Sequence, residues 1–225
     1  MKKLVLGLFL IVAQSAISQD KITKSLGEFT QVKVFDQISL RMIAAGENKM
    51  EISGSRKDDV EIVNKNGELK VRMKLGKLLQ GEDIEVALYY TGNIDNVEAS
   101  EGSYLSSDQP FKAIAFSVNA KEGSEIKIAV ETKKLSVRAT SGGIVRIEGS
   151  ATNQDVVISS GGIVRAKDLQ TTQTTVAVNA GGEADVNASE LVEAKTRAGG
   201  NITIYGNPSQ VNKKNVIGGS IDIVK

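Results

Sequence analysis

The side chains that could do chemistry in this sequence are chiefly carboxylates and basic groups, because the chain contains no His and no Cys. Their absence excludes Ser-His-Asp and Cys-His catalysis and leaves no imidazole or thiolate for a zinc site. A pair of carboxylates can still hydrolyse a glycosidic bond. The candidate acids are Asp155, Asp168, Glu183, Asp185 and Asp222. They are scattered, as polar residues on outward strand positions are. We therefore predict no catalytic, cofactor-binding or metal-binding residue, with a carboxylate-based enzyme acting on polysaccharide as the alternative.

Three basic residues, Lys127, Arg146 and Arg165, each follow a glycine by four positions. If those glycines mark successive turns of a repeat, the three side chains stack as a basic stripe on one outward face. The planar guanidinium fork of Arg binds anions in a bidentate way, so the stripe could bind an anionic glycan or surface polymer. The alternative is a solvated ladder whose charge is answered in part by Asp185 and neighbouring acids.

Seven glycines define this repeat. They stand at positions 102, 123, 142, 161, 181, 199 and 218, separated by 21, 19, 19, 20, 18 and 19 residues. Five of them are followed by a second glycine, while Ser103 and Ser124 take that place in the other two. Self-similarity at a fixed period of this length is typical of repeat folds such as solenoids.

Apolar residues recur three and five positions before and after most of these glycines, with Ser107, Thr196, Lys213 and Asn215 as the exceptions. Around Gly142 they are Val137, Ala139, Val145 and Ile147. Alternation of this kind indicates half-buried strands on both sides of the glycine. A two-residue hairpin turn would send Val137 and Val145 to opposite faces. A three-residue turn and a corner between successive faces of a solenoid both keep them on one side, and parity leaves these two open.

Repeat length favours the solenoid, because about nineteen residues supply two or three short strands and their corners, each stacking on its counterpart about 4.8 Å away. The sequence therefore predicts an all-β fold, a parallel β-helix or solenoid of about seven coils over residues 96–225. One continuous core is predicted. Its members are Val137, Ala139, Val145, Ile147, Val156, Ile158, Val164, Val176, Val178, Val186, Ile202 and Ile204.

Residues 19–95 lack the glycine frame but also alternate apolar with polar residues. Strands are predicted at 31–35, 38–42, 49–52, 60–63, 69–75 and 84–89, with a hairpin turn at Asn66-Gly67. We interpret this part as an irregular β-region, or as first coils, that covers the N-terminal end of the solenoid. Such a cover is needed because an open coil end is an unpaired sheet edge.

The extreme N-terminus predicts export. Lys2 and Lys3 precede a short apolar run at 4–13, and Ala16-Ile17-Ser18 offers small residues for cleavage before Gln19, so residues 1–18 are predicted to be a signal peptide. The apolar run is shorter than the roughly twenty residues of a membrane span, so stable membrane insertion is not expected. Removal of this segment leaves 26 basic and 27 acidic residues, a balance that gives no general attraction to nucleic acid or to anionic lipid.

The C-terminal coil is predicted to have an open outer edge, because the last core position, Ile223, stands two residues before Lys225. Free backbone groups are expected there, with Ile217 and Ile221 beneath them. Exposed edges favour strand pairing. The expected cover is either a second copy in a two-fold homodimer or part of the N-terminal β-region.

Several of these segments resemble the head GIN domain family, a bacterial domain-of-unknown-function family whose members are described as auto-transporter adhesins. The resemblance rests on GEFTQVKV at 27–34, NGELKV at 66–71, the serial Ser-Gly-Gly-Ile-Val corners, and ITIYGNP at 202–208 followed by GGSI at 218–221. Family members often carry Ser-Gly-Ala-Gly at the corner, whereas this chain has Ser-Glu-Gly-Ser at 100–103 and Lys-Glu-Gly-Ser at 121–124. The resemblance covers roughly residues 27–223. It implies a right-handed β-helix-like fold and a cell-envelope setting, without an established activity.

These observations predict an exported structural or adhesin-like protein of the cell envelope, located in the periplasm or at the cell surface, that binds through extended solenoid faces. The expected partners are an anionic glycan or an envelope protein. No cofactor is expected.

Overall fold

The computed structural model describes residues 21–224, so the predicted signal peptide lies outside the described residues. Eighteen β-strands form one continuous hydrogen-bonded sheet. The N-terminal strands are β1 (Ile22–Ser25), β2 (Gln31–Val34), β3 (Ser39–Ala44), β4 (Lys49–Ser53), β5 (Val60–Lys65), β6 (Glu68–Met73), β7 (Glu85–Tyr90), β8 (Asn96–Ala99) and β9 (Tyr104–Ser107), with a short 3-10 helix at Lys57–Asp59. The C-terminal strands are β10 (Phe111–Lys121), β11 (Glu125–Thr140), β12 (Ile144–Ser159), β13 (Ile163–Arg165), β14 (Leu169–Asn179), β15 (Glu183–Arg197), β16 (Asn201–Tyr205), β17 (Gln210–Asn215) and β18 (Ser220–Ile223). Within residues 21–224, no helix is long and apolar enough to cross a membrane.

Successive coils stack in parallel at an offset of one repeat. Ile126 in β11 lies opposite Val145 in β12, and Val137 lies opposite Val156. A β-hairpin would instead pair neighbouring strands antiparallel, so the solenoid prediction is confirmed. Segments that precede the corners form what we call the pre-corner face, which contains β6, β2, β8, β10, β14, β17 and the second halves of β11, β12 and β15. Segments that follow the corners form the post-corner face, which contains β7, β3, β9, β13, β16, β18 and the first halves of those long strands.

A backbone hydrogen-bond ladder also runs through the corners. Ser141 and Gly142 both have left-handed backbone angles, with φ of 51° and 76°, and the Gly142 N–H donates to the Ser160 carbonyl at 3.2 Å. A Cβ on the second glycine, Gly143, would lie 2.3 Å from the Ala120 carbonyl oxygen. At an earlier corner Ser124 takes that place, and its buried hydroxyl donates to the Ala99 carbonyl at 2.7 Å. The corner therefore accepts either no side chain or one that bonds to the coil below.

The interior between the two faces is a single hydrophobic core that runs the length of the solenoid. Every predicted core side chain from Val137 to Ile204 is at most 3 % exposed. β-branched residues dominate these positions because they pack well on a pleated, buried surface. The core prediction is confirmed.

The N-terminal region contributes two further coils, stacked out of sequence order. Strand β2 lies between β6 and β8, and β3 lies between β7 and β9, all in parallel. The later segment β6–β7 therefore forms a coil outside the earlier segment β2–β3. The chain then crosses at residues 91–95 to the other side of β2 and continues as the regular solenoid.

Antiparallel strands close this N-terminal end. Strand β5 pairs with β6, β4 pairs with β7, and β1 pairs with β4. The predicted hairpin turn is confirmed, with φ of 54° at Asn66 and 77° at Gly67, as a type I′ turn requires. The predicted strand 69–75 was too long, because β6 ends at Met73. Leu75 is 92 % exposed and begins a loop that takes the place of a tight corner.

The C-terminal coil has an open outer edge. Strand β17 pairs with β15 and β18 pairs with β16, and no other strand among residues 21–224 pairs with either. The expectation that the N-terminal β-region covers this edge was wrong, because that region lies at the opposite end of the ladder. Ile221 is half-buried, whereas Ile217 is 69 % exposed.

Candidate ligand-binding face

The three predicted basic residues stack in one column of the post-corner face. Lys127 lies opposite Arg146, and Arg146 lies opposite Arg165. From the N-terminal end, the column contains Arg41, Ser106, Lys127, Arg146, Arg165 and Asp185. Consecutive members are one strand step apart, about 4.8 Å. The structure therefore brings Lys127, Arg146 and Arg165 together, and their ligand-binding role stays a prediction.

Acidic neighbours neutralise part of the positive charge of this column. Arg146 Nε is 2.7 Å from Glu125 Oε1, and Arg165 forms ion pairs with Glu183 and with Asp185. Burial alone lowers the pKa of Arg165, but the hydrogen bond to Glu183 and the charges of both acids outweigh it and raise that pKa. Among residues 21–224, Lys127 forms no salt bridge, so its exposed ammonium group is the least compensated charge of the three.

Two adjoining grooves run along this face. One has a volume of about 440 Å³ and is lined by Lys127, Arg146, Arg165 and Asp168 among others. The second has about 490 Å³ and extends toward the N-terminal end past Arg41. Tyr104 and Ser106 line both grooves, which therefore adjoin at these residues, and we call the two grooves together the trough. The half-buried rings of Tyr104 and Tyr89 belong to its lining. Aromatic rings and basic forks in one trough suit a sugar polymer that carries anionic groups.

Arg41 sits at the N-terminal part of the trough and forms a bidentate pair with Asp108. Its Nε lies 2.6 Å from Asp108 Oδ1, and its Nη2 lies 2.5 Å from Asp108 Oδ2. The hydrogen bond and charge of Arg41 hold the pKa of Asp108 below its usual value. Both residues are at the surface, so this pair can open to admit a competing anion at a small energetic cost.

The candidate acids are not assembled into a catalytic pair. Asp155 lies on the pre-corner face, opposite Thr175. Asp185 and Asp222 share the post-corner column but are separated by Thr203. Glu183 and Asp185 stand two positions apart on β15, and both are engaged by Arg165. Asp168 lines the trough beside Arg165.

A different acidic group lies at the corners, where Asp36, Glu101 and Glu122 stack. Burial, together with the charges of Asp36 and Glu122 and a hydrogen bond with Asp36, raises the pKa of Glu101. Asp36 is 1 % exposed, and its carboxylate accepts hydrogen bonds from the Met73 and Leu79 N–H groups at 3.0 and 2.9 Å. It is therefore a structural acid that fixes the neighbouring loop. Within residues 21–224, no group of three or more acids is placed to hold a metal ion.

Sequence comparison matches residues 28–208 to the family described as "Putative auto-transporter adhesin, head GIN domain". The chain belongs to this family. Family membership makes this head GIN domain chain adhesin-like and indicates a surface or exported protein. None of the curated protein sequences is significantly similar to it.

Solved structures share the fold. A Bacteroides fragilis protein described as a "putative adhesin" superposes with a TM-score of 0.83 at 17 % identity, covering 92 % of this chain and 98 % of the other. A Parabacteroides merdae "putative adhesin" gives 0.67 at 16 % identity, covering 92 % and 96 %. A Parabacteroides distasonis protein described as a "putative lipid binding protein" gives 0.69 at 14 % identity, covering 92 % and 96 %. At these identities the likeness shows the fold alone.

Sequence reasoning missed Arg41, Tyr89 and Tyr104 as part of the face of this head GIN domain. Arg41 joins the basic column only because β3 stacks beside β9. The signal was present, since Gln37 stands in the place of the frame glycine, four residues before Arg41. Gln37 has a φ of 65°, and its N–H donates to the Glu101 carbonyl at 2.9 Å, as the glycine N–H groups do at later corners.

Proposed function

We propose that this head GIN domain protein is a non-enzymatic, exported binding module of the cell envelope that holds an extended anionic glycan along the post-corner face. One observation carries the proposal: Arg41, Lys127, Arg146 and Arg165 line the trough in one column, two strand steps apart between Arg41 and Lys127 and one step apart thereafter. Charges spaced by whole strand steps suit a polymer with repeated anionic groups. An open trough, unlike an enclosed pocket, leaves both ends of such a chain free.

The distribution of charge also supports a weak, multivalent mode of binding. Each Arg in the trough already has an acidic partner, so each contact with the polymer exchanges one ion pair for another and contributes little. Lys127 supplies an uncompensated charge in the middle. Many weak contacts along one chain add to a useful avidity without any single tight site.

The proposed function also predicts the compartment in which the protein operates. A module that binds an envelope polymer operates where that polymer is present, and the predicted signal segment and the adhesin-like family support export. We place the protein at the cell surface, with the periplasm as the alternative. Labelling of intact cells with an impermeant amine reagent separates the two locations, because the exposed Lys127 reacts only if the face is outside.

Binding to polygalacturonate, with neutral dextran for comparison, tests the function. The double variant Lys127→Ala/Arg146→Ala is expected to bind polygalacturonate about tenfold more weakly, because two trough charges are lost. Lys133→Ala/Lys134→Ala removes the same charge at exposed positions of the bend in β11, and it is expected to bind like the parent chain. Equal loss in both variants, or equal binding of dextran by the parent chain, contradicts the proposal.

A carboxylate enzyme stays the second candidate, because Asp168 and Glu148 both line the trough. An enzyme of this type releases reducing ends from the polymer it binds. Release that disappears in both Asp168→Asn and Glu148→Gln would replace the binding module with this alternative.

A further inference from the structure

The loop at residues 74–84 differs from every other corner of the solenoid. It joins β6 to β7, where the regular coils use a tight glycine corner, and it carries three apolar side chains at the surface. Leu75, Leu78 and Leu79 are 92 %, 48 % and 53 % exposed. Exposed large apolar side chains grouped on one short segment mark an interaction site.

The loop is held rigidly with these leucines outward. The buried Asp36 carboxylate accepts a hydrogen bond from the Leu79 N–H at 2.9 Å, and the Asp36 carbonyl accepts one from the Gly81 N–H at 3.0 Å. Arg56 Nη1 donates to the Gln80 carbonyl at 3.1 Å. The conformation is therefore fixed before any partner arrives, which reduces the entropy lost on binding.

Leu79 adds a second, independent observation. Its φ is 58°, a left-handed backbone conformation that is strained for a bulky side chain. Strained residues persist where the surrounding structure enforces them, and they concentrate at functional sites. Here the left-handed backbone holds a leucine whose side chain is about half exposed at the surface.

The shape and charge of the loop favour a lipid surface over a protein partner. A stable protein interface needs about 800 Å² on each side, whereas the three leucines lie within residues 75–79 of one loop. A bilayer interface accepts a small apolar tip of any outline. Lys74 and Lys77 flank the leucines, and the two acids of the loop, Glu82 and Asp83, follow them at its far end, where Asp83 accepts a hydrogen bond from the Ser55 N–H at 2.8 Å. Lysines beside an inserted apolar tip reach the headgroups of anionic lipids.

The position of the loop is compatible with the proposed trough. Strands β6 and β7 form the outermost parallel coil at the N-terminal end, near β1, and the C-terminal strands lie at the other end of the ladder. From β7 to β18 the post-corner face spans eight strand steps, or about 38 Å. A chain docked by this loop leaves most of that face away from the lipid.

We propose that the loop at residues 74–81 docks the protein on anionic phospholipid bilayers by inserting Leu75, Leu78 and Leu79 at the interface. This docking is separate from glycan binding and uses none of the trough residues. It is peripheral, since one short loop reaches only the headgroup and upper acyl region.

Flotation with vesicles of equimolar phosphatidylcholine and phosphatidylglycerol tests the docking. The variant Leu75→Gln/Leu78→Gln/Leu79→Asn is expected to bind about tenfold or more weakly. Asn is chosen at position 79 because it tolerates a left-handed backbone. The matched control Ile114→Gln/Val216→Gln/Ile217→Gln removes three other exposed apolar side chains and is expected to bind like the parent chain. Unchanged melting temperatures establish that all variants are folded.

A single introduced tryptophan gives a second readout, because the chain contains none. Leu78→Trp is expected to show a blue-shifted emission on addition of these vesicles, whereas Ile217→Trp is not.

Lys77→Gln is expected to weaken binding and to reduce its dependence on phosphatidylglycerol. No flotation of the parent chain, an equal loss in the control variant, or no blue shift at position 78 overturns the proposal, and a protein partner then becomes the occupant to seek. Polygalacturonate binding by the leucine variant stays unchanged, so failure here is distinguishable from failure of the trough.

Discussion

Arg165 lies directly opposite Asp185 in the parallel ladder, with its Nη1 atom 3.2 Å from Asp185 Oδ2. The two residues are twenty positions apart in the sequence, and they meet because each stands four residues after its frame glycine. An error of one residue in the register would place one of them on the inward face. The sequence predicted that Asp185 would offset part of the charge of the basic stripe, and this contact confirms it and ties the repeat of the sequence to the geometry of the face.

Removal of Asp185 tests how far this ion pair restrains the basic column. Asp185→Asn is expected to lower the free energy of unfolding by only about 0.2–1 kcal/mol, because the pair is partly exposed and Glu183 still faces Arg165. The same change is expected to strengthen polygalacturonate binding, since Arg165 loses a competing anion. Titration at two salt concentrations checks this, and an unchanged affinity at both would remove Arg165 from the ligand face.

A buried charge tests the core assignment. Val145→Asp is expected to lower the free energy of unfolding by about 3–5 kcal/mol, because it places an unpaired carboxylate between two coils. Ile144→Asp makes the same change on the adjacent, outward-facing residue, and about 1 kcal/mol or less is expected there. Urea denaturation measures both values. Similar losses in the two variants would contradict the inward and outward assignment of these positions.

Alternation and glycine spacing predicted the solenoid because both depend on local geometry that each coil repeats. Val137 and Val145 must share a face, and only a corner or a three-residue turn permits it. The stacking order of the N-terminal coils was not predictable in the same way. The pairing of β2 with both β6 and β8 joins residues that are far apart in the sequence, so local patterns do not encode it. The loop at 74–84 also replaces the tight corner that would have marked β6 and β7 as one coil of the repeat.

The dependence on a regular glycine frame also explains which residues of the candidate site could be predicted. Lys127, Arg146 and Arg165 were found because their glycines are regular, whereas Arg41 follows Gln37 at the equivalent corner. A left-handed Gln is uncommon, so the identity of Gln37 did not mark it as a frame residue. Leu75 was wrongly assigned to a strand for a related reason, because it continues the alternation of β6 by one step although the strand ends at Met73.

Close approach of stacked corners makes the second glycine the sensitive one. A Cβ on Gly162 would lie 2.2 Å from the Ala139 carbonyl oxygen, whereas nothing lies within 4 Å of a Cβ on Gly161. Gly162→Ala is therefore expected to cost about 3 kcal/mol or more through backbone displacement. Gly161→Ala is expected to cost about 1–2 kcal/mol, from its left-handed φ alone. Thermal denaturation of the two variants compares them directly, and the reverse order would show that the corners are more open than described.

The raised pKa of Glu101 predicts a specific dependence of stability on pH. Burial and the charges of Asp36 and Glu122 favour the protonated carboxyl in the folded chain over the unfolded chain, where its pKa is near 4.5. Ionised Glu101 therefore lowers the free energy of unfolding at pH values above its pKa in the folded chain. This loss disappears as the pH falls through that pKa toward 4.5. Glu101→Gln is expected to raise the melting temperature at pH 7, with the advantage over the parent chain shrinking as the pH is lowered. Glu190→Gln, an exposed acid, serves as the control, and a constant difference across the range would show that Glu101 is not the group responsible.

The open edge of β18 is expected to support self-association of the chain. The Ser220 and Val224 N–H groups donate inward to the Gly200 and Ile204 carbonyls at 3.0 and 2.9 Å. Alternation along a parallel strand then directs the N–H groups of Ile221 and Ile223 to the outer side, where no described strand pairs with them. A second copy can add there as an edge strand.

Ile223→Pro removes one outward donor while keeping an extended φ, and it is expected to raise the dissociation constant of the dimer about tenfold. Ile223→Val keeps the donor and is expected to behave as the parent chain. Sedimentation velocity over a wide concentration range decides the matter: a parent chain that stays monomeric throughout, with fast hydrogen exchange at Ile221 and Ile223, would mean that the edge is left to water.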